Sequence, residues 1–383
     1  MRLFPGFALT ISVALGGCDN PSATELEEPA EPDAENGSFL VGKADGGCVD
    51  PDSPAAEGIL SLVNDAAITL AELDDAVTSG GAGLDRRAAE ELVQGRPFAT
   101  LAELDAVPYV GPHACRALAR HACNVHERCT QPLSLMTWNL RHFPLTAETE
   151  DAVVNTLTDF APDFVGIQEV QDNAALLRIA NRLPEFEAYI AEPGPFSGVA
   201  ALVRTSALEV TDAQDLFEDD WFAFPRPMLA LEVEVVGSAS GAQMQLGVVH
   251  LKARSDAQSQ DRRRAASREL RAWFDAGTSG GHAVVLGDFN DQVTDSPSDN
   301  VFAPLLDDEA GVTFLTEDAE SSGAATYIPW SRMLDHVVVT DGLKAHHVDT
   351  DVLALDQDAD YEQHVSDHRP VLSVFEFPVA YPG

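Results

Sequence analysis

Residues 132 to about 380 contain eight apolar runs of strand length, and most of these runs include or end in a polar residue. Few helical stretches separate the runs; helical periodicity is found over 147–161, 173–183 and 257–277. Many strands with few intervening helices predict two packed mixed β-sheets flanked by helices, a four-layer α/β sandwich. The runs are LSLMTWNL, DFVGIQEV, VAALVRT, LALEVEV, LGVVHLKA, AVVLGDFN, MLDHVVVT and VLSVFEF.

The polar residues at these strand ends indicate a shared site. Each one alone is more typical of a turn or a cap, but burying so many without partners would cost several kcal/mol in total. Glu169, Asp367 and Asn139 supply hard oxygen ligands, which suit Mg²⁺, with Mn²⁺ or Ca²⁺ as alternatives. Two histidines, His250 and His368, supply the proton-transfer groups that phosphodiester hydrolysis needs.

The motifs TWNL, IQEV, HLK, GDFN, LDH and SDHRP occur in this order over about 245 residues. As a group they resemble the endonuclease/exonuclease/phosphatase superfamily. Within it the chain looks most like pancreatic-type deoxyribonuclease, because WNLRHF at 138–143, GIQEVQD at 166–172 and FPRP at 224–227 also fit. The resemblance implies a metal-dependent hydrolase of phosphate esters.

Carried over by position, the resemblance implies a role for each strand-end residue. Glu169 would bind the divalent cation, with Asn139 and Asp367 near it. His368, oriented by Asp335, would be the general base that deprotonates the attacking water.

The remaining matched residues would handle the phosphate. His250 would contact it and assist protonation of the leaving oxygen, while Asp288 and Asn290 would position the water and the phosphoryl oxygens. Arg141 and Arg226 are candidates for direct phosphate contact. With the metal, they would stabilise the charge of the pentacoordinate transition state.

Two segments bear on the substrate. Pancreatic-type enzymes carry an extended basic, tyrosine-bearing loop after the Glu motif, whereas residues 193–199 here are short and uncharged, which puts duplex DNA in doubt. The arginine-rich segment 254–271 would offer local positive charge if it borders the cleft; the alternative is a solvated helix face that pairs with nearby acids.

The overall charge restricts how nucleic acid can be bound. With 23 Lys and Arg against 63 Asp and Glu, the formal net charge is −40 and the isoelectric point about 4.3. This excludes a protein that coats nucleic acid by charge alone. The 383 residues allow two or three domains.

The N-terminus carries an export signal. Arg2 precedes a short apolar run, and Leu15-Gly16-Gly17-Cys18 resembles the lipobox of bacterial lipoproteins. The resemblance implies cleavage after residue 17 and lipidation of Cys18; an ordinary signal peptide is the alternative. We expect an exported, membrane-tethered protein of the cell envelope, with inner or outer membrane left open. Residues 18–50 are acidic and poor in apolar residues, which predicts a disordered tether.

Four further cysteines bracket the next segment. Cys48, Cys115, Cys123 and Cys129 are even in number, which with export favours two disulfides among three possible pairings. A zinc site is the competing interpretation, since three histidines lie nearby. They are His113, His121 and His126.

Residues 51–130 carry apolar residues at helical spacing and predict a small all-helical domain. Residues 97–114 resemble the helix-hairpin-helix domains of bacterial DNA-uptake proteins, whose hairpin presents backbone N–H groups to a phosphate. Only Gly111 is present where two glycines are usual, and the segment is acidic. Both a spacer role and DNA binding stay open.

Three functions follow from these observations. The leading one is a lipid-anchored, exported nuclease that resembles a deoxyribonuclease and takes nucleic acid as its substrate. The second is a phosphodiesterase or phosphatase acting on a phospholipid headgroup or an inositol phosphate. The third is a non-catalytic nucleic-acid-binding lipoprotein. No protein partner is predicted.

Overall fold

The computed structural model describes residues 49–191, 198–239, 241–277, 281–307, 309, 311–357 and 360–381. The predicted signal peptide with Cys18, most of the predicted tether, Cys48 and residues 193–197 lie outside the described residues. Among the helices that are described, none combines the length and the apolar character required to cross a bilayer.

Twelve strands are described between residues 130 and 378. They are β1 Thr130–Phe143, β2 Phe164–Val170, β3 Phe186–Ile190, β4 Gly198–Arg204, β5 Leu208–Leu216, β6 Met228–Val235, β7 Gln243–His250, β8 His282–Asp288, β9 Val312–Phe314, β10 Asp335–Thr340, β11 His347–Val352 and β12 Val371–Pro378.

The described helices fall into two groups. Five precede the strands: α1 Pro54–Asn64, α2 Leu70–Asp74, α3 Arg86–Gly95, α4 Leu101–Asp105 and α5 Pro112–Asn124. The others lie between strands: α6 Thr149–Phe160, α7 Asn173–Arg182, α8 Ala257–Asp275, α9 Glu317–Ser321, α10 Asp341–Lys344 and α11 Tyr361–His364.

The strands form two six-stranded sheets. Sheet 1 has the order β11-β12-β1-β2-β4-β3, and sheet 2 has the order β5-β6-β7-β8-β10-β9. Each sheet has one parallel pair near its centre, β1 with β2 and β7 with β8, and its other pairs are antiparallel. Both sheets are therefore mixed, as the sequence predicts.

Three apolar layers hold the sandwich together. Inward side chains of both sheets, such as Leu135, Leu246 and Leu286, form one continuous buried core. A second core packs α6 and α7 on the outer face of sheet 1, and a third packs α8 on the outer face of sheet 2. The predicted order of layers, helix on sheet on sheet on helix, is confirmed.

The helices before β1 have a separate core that includes Ile59, Leu92 and Leu118. Two of them, α2 and α4, share the sequence LAELD, and a threonine caps each: Thr69 Oγ1 accepts from Glu72 N and Thr100 Oγ1 from Glu103 N. We call residues 54–124 the helical region. Cys123 and Cys129 form a disulfide just before β1, and Cys115 is also disulfide-bonded.

The predicted strands correspond to β1, β2, β4, β6, β7, β8, β10 and β12, while four strands were missed. All four, β3, β5, β9 and β11, are the edge strands of their sheets, and three of them, β3, β5 and β11, carry exposed polar or acidic side chains. Charged residues on an edge discourage pairing with another chain, but they also remove the apolar run that marks a buried strand.

Gly166 provides a test of the contact between the sheets. It lies at the centre of β2, where an added methyl group would collide with Leu286 and come within 3.1 Å of Val248 in the opposing sheet. Overpacking of a close-packed core costs about 1–3 kcal/mol. We therefore expect Gly166→Ala to lower the free energy of unfolding by that amount in urea denaturation.

Gly198→Ala is the matched control. Gly198 begins the neighbouring strand β4, and the nearest atom to an added methyl group there is 4.0 Å away. Equal stability of the two variants would show that the sheets do not meet as closely as described.

Candidate active site

Strand topology brings the predicted residues to one edge of the sandwich. In the parallel pair β7 and β8, His250 stands opposite Asp288, and both are the last residues of their strands. The antiparallel strand β10 begins at Asp335, in register with Asp288. In sheet 1, Asn139 pairs with the residue before Glu169 across the parallel pair β1 and β2. The two sheets thus contribute polar side chains to a common edge.

Asp335 and His368 form a buried pair at this edge. His368 Nδ1 lies 2.7 Å from Asp335 Oδ2, and both residues are buried. The backbone of His368 is fixed on both sides: its N–H donates to Ser366 Oγ, and its carbonyl accepts from Tyr361 Oη at 2.6 Å. Because Nδ1 is engaged, Nε2 is the ring nitrogen left for proton transfer.

Asp288 lies at the centre of the edge and is almost completely buried. Its Oδ2 accepts from Asn139 Nδ2 at 3.0 Å, and its Oδ1 accepts from the backbone N–H of Asn290 at 2.9 Å. His250 Nε2 is 3.4 Å from the same Oδ2. The preceding Gly287 has φ +150°, and a side chain there would collide with the carbonyl of Val249, so this position requires glycine.

Glu169 lies on the more open side of the edge. Its Oε2 accepts from the backbone N–H of His142 at 2.9 Å, and Oε1 is 3.5 Å from Asn139 Nδ2. The third predicted metal ligand, Asp367, is 3.5 Å from the guanidinium of Arg141. The structure therefore places Glu169 next to Asn139, while Asp367 is held by an ion pair.

Several of these residues have strained backbones. The φ angle is +64° at Glu169, +34° at Arg141, +56° at His142 and +57° at Asn290. Each such conformation costs on the order of 1–3 kcal/mol in a residue other than glycine, and such residues cluster where function requires them. Their concentration here supports a functional edge on grounds independent of side-chain chemistry.

The electrostatics separate the two histidines. Burial lowers the pKa of His250 well below its ordinary value, and the nearby Arg226 and His368 lower it further. Burial also lowers the pKa of His368, but the charges of Asp335, Asp288 and Asp367 outweigh it and raise the value to about 9. His250 is thus kept neutral, whereas His368 is a proton acceptor of raised basicity.

The carboxylates repel one another. Burial and the charge of Asp335 raise the pKa of Asp288 to about 7, although Asn139 donates to its carboxylate. Among the described residues, no hydrogen-bond partner is found for Asp335 Oδ1 or for His250 Nδ1. Excess buried negative charge with unused lone pairs is the setting that a divalent cation relieves.

The donor set fits a hard cation. Glu169 and Asn139 offer oxygens on the side where the Glu169 carboxylate is one-fifth exposed, which leaves room for the water that Mg²⁺ retains. Asp288, Asp335 and His368 form a second group whose ligand atoms lie within 4.8 Å of one another, but all three are buried and the last two bind each other. We therefore favour the Glu169 side.

A cavity of about 730 Å³ opens beside Asn290. Arg254, Arg332 and Trp330 line it, and Trp330 is 73% exposed. The ring of Tyr327 lies 5.0 Å from that of His368 and 5.4 Å from that of Trp330, so an aromatic path joins the cavity to the base. These aromatic residues lie outside every sequence motif, so the sequence alone gives no signal for them.

The arginines of α8 are largely used within the protein. Arg263 is buried and paired with Asp291 at 2.7 Å, and Arg264 binds Asp261 at 3.2 Å. Of the arginine-rich segment, Arg254 and the paired Arg263 reach the cavity. Pairing with nearby acids, which the sequence left open as an alternative, therefore describes Arg263 and Arg264, although Arg263 is buried and not solvated.

Arg226 and Arg141 differ in exposure. Arg226 is half-buried, and burial lowers its pKa while the charges of Glu169 and Asp288 raise it. Arg141 is 41% exposed at the rim. One predicted phosphate-contact residue thus lies inside the edge and the other at its mouth.

Residues 136–368 match the sequence profile of the Endonuclease/Exonuclease/phosphatase family. No curated protein sequence matches the chain. Among solved structures, a TDP2 of D. rerio humanized by 14 mutations is similar, at 16% identity and a TM-score of 0.51 over 64% of this chain and 98% of that one. The human Nocturnin catalytic domain is 20% identical, with a TM-score of 0.49 over 64% of this chain and 94% of that one. The Neisseria 3′ phosphatase NExo is 20% identical, with a TM-score of 0.49 over 63% of this chain and 99% of that one.

We expect Asp335→Asn to lower the pKa of His368 in metal-free protein. The raised value of about 9 depends on neighbouring carboxylates, and without Asp335 the opposing effect of burial gains weight. The measurement is an NMR titration of the His368 ring in EDTA. Asp212→Asn, on the exposed strand β5, is the control and leaves the titration unchanged. An unaltered His368 titration in Asp335→Asn would contradict the described pair.

The same pair has a consequence for stability. A histidine whose pKa is raised by folding contributes stability that is fully present below its unfolded value of about 6.5 and lost as pH rises through about 9. Between these limits, the free energy of unfolding of the parent protein should fall more steeply with pH than that of Asp335→Asn. Urea denaturation in EDTA at both limits measures the difference.

Proposed function

Because the chain belongs to the Endonuclease/Exonuclease/phosphatase family, whose members are phosphoester hydrolases, we propose that it is a metal-dependent phosphodiester hydrolase that cleaves nucleic acid. The observation that carries the proposal is the buried pair of His368 and Asp335, which lies beside Asp288 at the edge where both sheets meet. A structural ion pair would not need the surrounding unpaired carboxylate and imidazole atoms.

In the proposed reaction, the oxygen of a water molecule attacks phosphorus while the bond to the leaving oxygen breaks; the leaving oxygen keeps the bonding electron pair and takes its proton from solvent water. In its neutral form, which prevails above its pKa of about 9 in the metal-free protein, His368 Nε2 takes the proton from the attacking water, and Asp335 stabilises the imidazolium that forms. Asp288 and Asn290 hold the water and the phosphoryl oxygens, their own positions fixed by the hydrogen bond between them. A divalent cation held by Glu169 and Asn139 would neutralise phosphoryl charge.

The pKa of His250 changes the role that the sequence suggests for it. Since burial and neighbouring cations keep the ring neutral, it is a poor source of a proton for the leaving oxygen. A neutral imidazole still donates one N–H, so we propose that His250 binds a phosphoryl oxygen. Arg226, half-buried beside the same carboxylates, supplies positive charge to the same group.

Nucleic acid is the substrate class that the cavity favours. Arg254 and Arg332 provide cationic contacts for a backbone, and the exposed indole of Trp330 offers a face on which a base can stack. The global charge of −40 opposes nonspecific binding, so these local groups must direct the polyanion. We do not restrict the proposal to duplex DNA, because the chain lacks the basic loop that pancreatic-type enzymes use.

A phospholipid headgroup is the second candidate, favoured by a different surface. Trp221 is 71% exposed and Phe222 40% exposed, and the guanidinium of Arg262 lies 5.7 Å from both rings. Adjacent exposed aromatic side chains with a cation suit the interface of a membrane. The substrate comparison below separates this candidate from a nuclease.

We also propose that the protein is exported and tethered to a bacterial membrane by lipid on Cys18, on the strength of the Leu15-Gly16-Gly17-Cys18 lipobox. Residues 18–50 would then act as a tether. For the helical region we propose a helix-hairpin-helix arrangement in which Gly111, the N-cap of α5, precedes a helix start without a side-chain cap. Its free N–H groups are suited to phosphate.

The decisive experiment is a substrate comparison with the full chain in Mg²⁺. Supercoiled plasmid, single-stranded DNA, RNA and sphingomyelin vesicles are incubated with the parent protein, with His368→Ala and with an EDTA control. We expect metal-dependent cleavage of nucleic acid, and a loss of roughly 10²–10⁴-fold in His368→Ala, because it lacks the general base.

His347→Ala is the matched control, since His347 lies on the edge strand β11 and bonds Thr350 away from the site. It should cleave at the parent rate. Hydrolysis of sphingomyelin with intact nucleic acids would move the assignment to a lipid phosphodiesterase. Full activity in His368→Ala would contradict the proposed mechanism for either substrate.

The anchor is tested separately. Cys18→Ala should release the protein from the membrane fraction of expressing bacteria and remove labelling by an alkyne-bearing fatty acid, because the substituted residue has no thiol to acylate. Cys48→Ala, at the far end of the tether, is the control and should keep the label. Labelling that persists in Cys18→Ala would contradict the lipobox interpretation.

A further inference from the structure

Away from the strand edge, two side chains of the helical region and one from the turn that follows it converge on one point. Glu72 lies on α2, His121 lies on α5, and His126 lies in the turn after α5. His126 Nε2 is 2.8 Å from Glu72 Oε1 and 3.3 Å from His121 Nε2, and His121 Nε2 is 3.4 Å from Glu72 Oε1. All three separations join the same three atoms.

We propose that Glu72, His121 and His126 form a binding site for Zn²⁺ or a similar late first-row divalent ion. A tetrahedral centre with bonds of about 2.0–2.1 Å separates its ligand atoms by about 3.3 Å, which matches the two distances from His121 Nε2, 3.3 and 3.4 Å, while the third, from His126 to Glu72, is shorter at 2.8 Å. Two imidazoles and one carboxylate are a donor set that suits zinc and is too rich in nitrogen for Mg²⁺ or Ca²⁺.

A purely hydrogen-bonded cluster explains the geometry less well. Without a cation, both Nε2–H groups would have to donate to the single oxygen Glu72 Oε1, at 2.8 and 3.4 Å, while the two nitrogens lie only 3.3 Å apart, so the two N–H groups would crowd each other. The two rings meet edge to face, with an interplanar angle of 74° and centroids 4.8 Å apart, so parallel ring stacking does not account for their approach. A cation uses both lone pairs and the carboxylate together.

The surroundings favour the ligand form of the site. His121 is 3% exposed, and burial lowers its pKa, which keeps the imidazole neutral and its lone pair available. The side chains of Glu72 and His126 are about one-quarter exposed, at 27% and 25%. One side of the site is therefore open to a water molecule that completes the tetrahedron.

The position of the site gives it a structural consequence. His126 lies inside the short loop closed by the disulfide of Cys123 and Cys129, and that loop leads directly into β1. A metal bound here fastens α2 to the end of α5 and to the loop. The sequence allowed a zinc site as the alternative to disulfides in this segment. The site proposed here differs from that alternative because its third ligand is Glu72 and not a cysteine thiolate.

Zinc binding by the full, metal-stripped chain tests the proposal in excess Mg²⁺, which occupies hard oxygen sites. We expect tight binding in the parent, the intense visible bands of tetrahedral Co²⁺ when cobalt replaces zinc, and a higher unfolding temperature with zinc. In His126→Ala the dissociation constant should rise roughly 100-fold or more, since even losing an outer partner weakens a metal site by about 10–100-fold.

Three further variants make the outcome decisive. Glu72→Gln keeps a hydrogen-bond acceptor for His126 but removes the charge, and it should also lose the cobalt bands. His113→Ala removes an exposed histidine from α5, the helix that carries His121, and this variant should bind zinc as the parent does. Glu169→Gln alters the strand-edge site and should leave this zinc in place.

Circular dichroism first establishes that each variant folds; the partial exposure of Glu72 and His126 favours this. Unchanged zinc affinity in both His126→Ala and Glu72→Gln would overturn the proposal. So would zinc binding that is lost in Glu169→Gln and kept in His126→Ala, because the ion would then belong to the strand edge.

Discussion

The packing of two sheets face to face is the constraint on which the candidate active site depends. Neither sheet contains the site alone: Asn139 belongs to sheet 1 and Asp288 to sheet 2, and they meet at 3.0 Å. His368 precedes β12 of sheet 1, while Asp335 begins β10 of sheet 2. A shift of one sheet relative to the other by a single residue would break both contacts. The close approach at Gly166 therefore serves the chemistry as well as the core.

The edge is costly to the folded state. Asp288 and Asp335 are buried close enough for each charge to oppose the other, and four non-glycine residues around them have positive φ angles. Natural cores avoid such groups unless they are paired, and strained backbones persist only where the surrounding structure imposes them. The three apolar cores of the sandwich are what hold these groups together. The residues that lower the stability of the fold are thus the ones for which proton transfer and phosphate binding are proposed.

Much of the fold could be predicted because buried strands carry apolar runs. The candidate residues could be predicted because they are polar and interrupt those runs. The edge strands β5 and β11 were not predicted, because their exposed acidic residues interrupt the apolar run that marks a strand. Thr326, whose Oγ1 accepts from the backbone N–H of Asp335, carries no sequence signal because a lone threonine fits any loop. The pairing of Arg263 with Asp291 depends on tertiary contact and could be stated only as an alternative.

The histidines show how the environment, and not the residue type, assigns chemistry. His368 is surrounded by carboxylates that raise its pKa, so it gains affinity for a proton. His121 is buried with one shared carboxylate and a second imidazole, so burial dominates and its pKa falls. A proton acceptor needs the first setting and a metal ligand the second, because a bound cation and a bound proton compete for the same lone pair. The oxygen-rich strand edge and the nitrogen-rich helical cluster would thus draw different ions from one solution.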